Sequence, residues 1–181
     1  MKSTPVKTVV AIGIGAALFF VLGKFVAIPS PVPNTSVTLQ YAVAAIFAAL
    51  FGPVAGFSTA FIGHALIDFT SYGPWWSWII ASGVFGLLCG FMMKKLNVES
   101  GEFGKKQIIT FNVAQVLSHL ICWGLVAPCL DILIYSEPVA KLFSQGLMAG
   151  ISNSVTTGVV GTLLLLAYAK TRTKKGSLTK E

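Results

Sequence analysis

A histidine and an aspartate four residues apart close an apolar run that reads Gly63-His64-Ala65-Leu66-Ile67-Asp68. A turn and a tryptophan cluster follow, Gly73-Pro74-Trp75-Trp76-Ser77-Trp78. At i and i+4 on a helix, His64 and Asp68 share one face. Such a pair can relay a proton, bind a cation or simply hold itself together. In apolar surroundings both groups are costly unless they face a partner, a cavity or water. Asn112, Gln115 and His119 fall at i, i+3 and i+7, a single helical stripe that Trp123 extends by one turn. Ser152, Asn153, Ser154, Thr156 and Thr157 form a third polar set. Asn34, Thr35, Ser36, Thr38 and Gln40 form a fourth.

The chain that must position these groups is mostly hydrocarbon. Of its 181 residues 55% are hydrophobic and 10% charged, against about 25% charged in a soluble domain. Mean hydropathy is +0.80. This is the composition of an integral membrane protein, with an N-terminal run read as a retained span and no room for a soluble domain. The net charge of +7 does not point to nucleic acid. Lys2, Lys7, Lys94, Lys95, Lys105, Lys106, Lys170, Arg172, Lys174, Lys175 and Lys180 flank apolar runs or lie in the tail, as topology determinants do.

A span needs about 20 apolar residues. Charge-free runs, broken by Pro29, Pro31 and Pro33 with Asn34 and again by Gly52-Pro53, give six spans. They cover about 6–27, 38–51, 54–71, 75–95, 106–127 and 139–169, followed by a basic tail at 170–181. The expectation is all-α: one six-helix membrane domain over residues 1–181. The second span is short, so it is tilted, shielded or set in thinner bilayer. The sixth is long and can begin with an interfacial turn around Lys141. The basic residues place both termini and the 96–105 loop on the cytoplasmic side. The 28–37, 72–75 and 128–138 loops, the last with Asp131 and Glu137, then lie outside.

On this topology much of the polar inventory falls between the bilayer centre and the outer surface. That is the pattern of a pocket open to the outside. Its aromatic surface, amides, imidazole and one carboxylate suit a small planar molecule with donors and acceptors. Trp can stack on a ring, and Asp68 can take an amidine-like edge or a cation. Each element also has a structural reading. The tryptophans can form an interfacial belt, and His64 and Asp68 can pair with each other. The Asn112–Gln115–His119 stripe can bond between helices, and the Ser and Thr groups can bond their own backbone.

No Walker A, HExxH or GxSxG sequence occurs, nor a paired-carboxylate site. Cys89, Cys122 and Cys129 lack metal spacing. No catalytic residue, metal or cofactor is therefore expected. Ala11 with Gly15, and Gly13 with Ala17, are small residues at i and i+4 on the first span. They serve either internal packing or docking of another membrane subunit.

Six spans, an Ala/Gly-rich first helix, a Pro-rich outer loop, Gly52-Pro53 and Gly63-His64-Ala65-Leu66-Ile67-Asp68 together resemble the substrate-binding S component of an energy-coupling factor (ECF) transporter. The resemblance covers essentially the whole chain. The branch it is most similar to is a group of small membrane proteins with members linked to hydroxymethylpyrimidine, a thiamine precursor. The resemblance implies a non-enzymatic capture subunit in the bacterial plasma membrane that binds a vitamin or precursor at its outer face. It implies a transmembrane T component and two cytoplasmic ATPases as partners, with docking through small residues matched here by Ala11, Gly13, Gly15 and Ala17. The implied pocket residues are Asn34, Trp78, Gln115, His119 and Asn153, and Trp123 joins them as the extension of the Asn112–Gln115–His119 stripe. His64, Asp68 and Trp75 stand at its rim, His64 and Asp68 off the family's usual pocket helices. Two other classes stay open: a proton-coupled carrier with His64, Asp68 and His119 as relay, and a membrane enzyme. Neither has a motif in its favour.

Overall fold

The computed structural model describes residues 4–172. Among these, six helices form one bundle. They are α1 (Pro5–Phe25), α2 (Gln40–Phe51), α3 (Pro53–Phe69), α4 (Trp76–Met92), α5 (Lys105–Tyr135) and α6 (Val139–Lys170). α1, α5 and α6 are long and apolar enough to cross a membrane, while α2 and α4 are shorter apolar helices. The helix starts follow local chemistry. Thr4 caps α1 by accepting the Lys7 amide, with Pro5 next to it. Gly52, at φ 91°, lets the chain turn sharply from α2 into Pro53 of α3.

The α1–α4 half is held by close backbone approach. Gly56 of α3 faces the Gly86 carbonyl of α4, and Gly90 faces Pro53, so any Cβ there would collide with backbone. Gly63 lies under the Phe19 ring of α1 in the same way. In lipid, where helices gain little by hiding apolar surface, such packing supplies the attraction.

α5 and α6 each contain one wide π turn, at Cys122–Val126 and Thr157–Gly161. The first corrects the expected fifth span. The sequence suggests an end near 127 and a loop over 128–138 that carries Asp131 and Glu137. The π turn re-spaces the backbone ahead of Pro128, and the helix continues from Ala127 to Tyr135. Asp131 is therefore a buried helical residue. α6 likewise begins directly at Val139, without a separate turn around Lys141. Lys2 and residues 173–181 lie outside the described residues.

The first connection forms a two-residue antiparallel ladder, β1 (Ile28–Pro29) with β2 (Ser36–Val37), Ile28 opposite Val37. At the other end of the bundle Lys7 Nζ pairs with Glu99 at 2.7 Å, tying the start of α1 to the α4–α5 connection.

The small-residue face of α1 divides in two. Ala11 and Gly15 are buried inside the bundle, and a Cβ on Gly15 would sit 2.7 Å from Thr59 Oγ1 and 2.8 Å from Phe47 Cδ1. They are internal packing, which removes them from the expected docking set. Gly13 and Ala17 face outward, and a Cβ on Gly13 meets nothing within 4 Å.

Candidate functional site

A cavity of about 890 Å³ opens at the end of the bundle that carries the β1–β2 connection. Its floor is Tyr41, in the first turn of α2. α3 contributes His64 and Asp68, α4 and its lead-in Trp75 and Trp78, α5 Asp131, and α6 Lys141, Gln145 and Asn153. Asn34, Thr35, Ser36 and Thr38 close it from the first connection.

The α3–α4 side is a dense hydrogen-bond network. Ser82 donates to the Trp78 carbonyl at 2.9 Å. Its single proton being spent, it accepts from the Tyr41 hydroxyl at 2.9 Å and from His64 Nδ1 at 2.6 Å. His64 Nε2 stands 3.5 Å from Asp68 Oδ1, beyond ordinary hydrogen-bond length. His64 thus pairs with Asp68 on its own helix while lining the cavity. Asp68 is fully buried and already accepts the Tyr72 hydroxyl at 3.0 Å and the Trp75 amide at 2.9 Å. It is therefore poorly placed to take both N–H groups of an amidine-like edge.

Asp131 holds the neighbouring wall. Its carboxylate accepts the indole N–H groups of Trp75 and Trp78, each at 2.6 Å, and the Ser77 hydroxyl. Trp75 also packs against the Tyr135 ring at 4.3 Å.

The α6 side keeps freer polar groups. Asn153 is buried, and its Oδ1 accepts the Thr38 hydroxyl at 3.4 Å. Gln145 donates to the Pro33 carbonyl at 2.9 Å, joining α6 to the first connection. On α2, against Gly23 of α1, the buried Gln40 Oε1 has no hydrogen-bond partner within the protein. At the rim Lys141 pairs with Glu137 at 2.7 Å, and Lys24 donates to the Thr70 carbonyl at 2.8 Å and Ser71 Oγ at 2.7 Å.

The sequence-derived residues thus divide. Asn34, Trp78 and Asn153 line the cavity with His64, Asp68 and Trp75. Gln115, His119 and Trp123 do not. His119 and Trp123 lie one layer behind Tyr41 and Trp78, each fully buried. His119 Nδ1 accepts the Trp123 indole N–H at 2.9 Å, which leaves the ring proton on Nε2, 3.2 Å from Thr157 Oγ1. Its ring stacks on Phe85 at 4.1 Å and meets Tyr41 edge-on at 5.5 Å. Trp123 stacks on Trp78 at 5.2 Å. Gln115 donates to the Ser154 carbonyl at 3.1 Å and faces a separate α5–α6 groove. The stripe on α5 is therefore interhelical bonding, and its helical period is equally consistent with a buried seam. Ser152 and Thr156 bond carbonyls of their own helix.

Sequence reasoning missed Tyr41, Asp131 and Gln145 as cavity residues. Asp131 lies at i+8 from Trp123, so extending the stripe through Pro128 would have reached it. Nothing in the α2 pattern distinguishes Tyr41 from an ordinary core aromatic.

Among known proteins, a family model described as "ECF-type riboflavin transporter, S component" matches residues 3–170. A UPF0397 protein of Lactococcus lactis subsp. cremoris is 57% identical over the full length of both chains. One from Streptococcus agalactiae is 54% identical, again over the full length of both. One from Staphylococcus aureus is 53% identical over 97% of this chain and 96% of its own. A crystal structure of FolT bound with folic acid shares the fold, with a TM-score of 0.59 over 92% of this chain and 96% of that one, at 13% identity.

Proposed function

The chain belongs to the family of ECF-type transporter S components, and from that premise we propose that it captures a flat heteroaromatic vitamin or precursor, hydroxymethylpyrimidine first among them. The multi-pass fold and the S-component family support a substrate-binding subunit. The observation that carries the ligand class is the cavity itself. Its lining combines aromatic groups, Trp78 and Tyr41, with amides, Asn153 and Gln40. A ring stacked on the first can present edge donors and acceptors to the second. The cavity opens to the cell exterior, both chain ends lie in the cytoplasm by their basic residues, and the membrane is the bacterial plasma membrane. The partners are a transmembrane T component and two ATPases, which supply the energy for import.

A second ligand reading has its own support. A volume of about 890 Å³ lies in the upper part of the range for small-molecule sites, about 300–1,000 Å³. It has room for a three-ring isoalloxazine as well as a single pyrimidine. The family description names riboflavin, so riboflavin is the competing ligand.

Thermal shift and calorimetry of the purified protein against hydroxymethylpyrimidine, thiamine, riboflavin and folate decide the matter. Saturable binding of one of them is expected, and no binding by any would overturn the capture reading. The proton-coupled carrier is disfavoured because both His119 nitrogens are engaged and His119 does not reach the cavity. Uptake that persists without the ATPases would restore it. For docking, Gly13→Leu is expected to abolish co-purification with the T component while ligand binding persists. A retained complex would remove the outer face of α1 from the docking surface.

A further inference from the structure

Asp131 stands out because it is buried, charged and bonded almost wholly to tryptophan. Its Oδ1 takes the Trp75 indole N–H and the Ser77 hydroxyl, and its Oδ2 takes the Trp78 indole N–H. A carboxylate offers about four lone-pair sites, so three are spent on donors from the α4 N-terminal region. Asp131 is 1% exposed, which leaves little access for a ligand to the fourth. The bonds are charge-assisted, roughly twice as strong as neutral ones.

The two indoles differ in what else fixes them. Trp75 is also held by Tyr135 at 4.3 Å, and its amide is bound to Asp68. Trp78 has Trp123 stacked on it at 5.2 Å and otherwise fronts the cavity. An indole with a free N–H would direct that donor wherever an acceptor lies, the ligand included. Here both N–H groups are consumed by the protein.

We infer that Asp131 is a positioning and specificity residue: it turns the Trp75 and Trp78 donors away from the cavity, so that these side chains offer a ligand ring surface and no hydrogen bond. The inference rests on the capture reading and deepens it. The cavity then selects flat rings by stacking on the tryptophan side, and reads their polar edge only through groups such as Asn153, Gln40 and His64. Elongated polar solutes that need indole N–H donors are excluded.

The test uses the full-length protein in nanodiscs with ¹⁵N-indole-labelled tryptophan, with resonances assigned through Trp75→Phe and Trp78→Phe. In the ligand-free protein the Trp75 and Trp78 indole protons are expected downfield, as carboxylate-bonded donors. Asp131→Asn is expected to move both resonances and leave the Trp123 resonance nearly in place. Trp75 and Trp78 resonances at free-indole positions in the unaltered protein would overturn the inference without any Asp131 variant having to fold. Titration with hydroxymethylpyrimidine or riboflavin is expected to leave both bonds intact, and transfer of either N–H to the ligand would likewise overturn it.

Affinity completes the test. Asp131→Asn is expected to weaken binding of the aromatic ligand roughly tenfold to a hundredfold, but to have no further effect in a Trp75→Phe/Trp78→Phe background. Equal loss in that background would mean that Asp131 contacts the ligand itself, and the positioning role would fall. If none of hydroxymethylpyrimidine, thiamine, riboflavin and folate binds the unaltered protein, the capture reading fails, while the resonance positions still decide the role of Asp131.

Discussion

The two histidines of this chain sit on opposite sides of Tyr41 and have opposite fates. His64 connects to Tyr41 through Ser82, spends one nitrogen there and keeps the other beside the cavity. His119 meets Tyr41 edge-on, spends both nitrogens on Trp123 and Thr157, and stacks its face on Phe85. The same side chain lines a cavity in one place and is a piece of aromatic core in the other. What separates them is the set of donors and acceptors around each ring, since the residue type is the same. A wall only one side chain thick divides the cavity from the layer behind it.

The most severe perturbation of this contrast is Trp123→Ala. It removes the stack under Trp78 and the donor to His119, and should cost about 3–5 kcal/mol of stability. Thermal unfolding in detergent reads this as a large fall in melting temperature. A normal melting temperature with lost binding would instead make Trp123 part of the ligand surface. Next comes His64→Ala, expected to weaken ligand binding roughly tenfold to a hundredfold with a much smaller change in melting temperature, as read by calorimetry and thermal shift on one preparation. If His64→Ala unfolds the protein as badly as Trp123→Ala, the division between wall and support disappears. Asn153→Ala should cost about five- to tenfold in affinity, because the amide opposite the tryptophans is lost while Thr38 can turn to another acceptor. Lys141→Ala is the smallest. Its pair with Glu137 is exposed at the rim and worth about 0–1 kcal/mol, so affinity should change by less than about fivefold.

The helices were legible because charge is excluded from bilayer-spanning segments, and the runs between charges are long. The Gly52-Pro53 turn and the irregular 28–37 connection were legible for the same local reasons that make them turns. The far half of α5 was not. Pro128 ends a regular helix in any pattern reading, and the π turn that accommodates it leaves no trace in hydrophobic period. Asp131 was misplaced with it. The stripe Asn112–Gln115–His119–Trp123 was read correctly as one face, but a period cannot say whether that face fronts a cavity or a packed seam. That depends on Tyr41 and Phe85, contributed by other helices. Gly15 failed in the same way: a small residue invites a neighbour, and only the packing shows that the neighbour is Phe47 of the same chain.

The shortness of α2 bears on where the cavity lies. Twelve residues rise about 18 Å, against about 30 Å of bilayer hydrocarbon. α2 does not feel that mismatch directly, because most of its length is enclosed by the rest of the bundle. α2 is therefore about 12 Å shorter than the hydrocarbon thickness, and its first turn, with Gln40 and Tyr41, lines the cavity. The cavity thus lies at the start of α2, bounded there by Thr38, Gln40 and Tyr41.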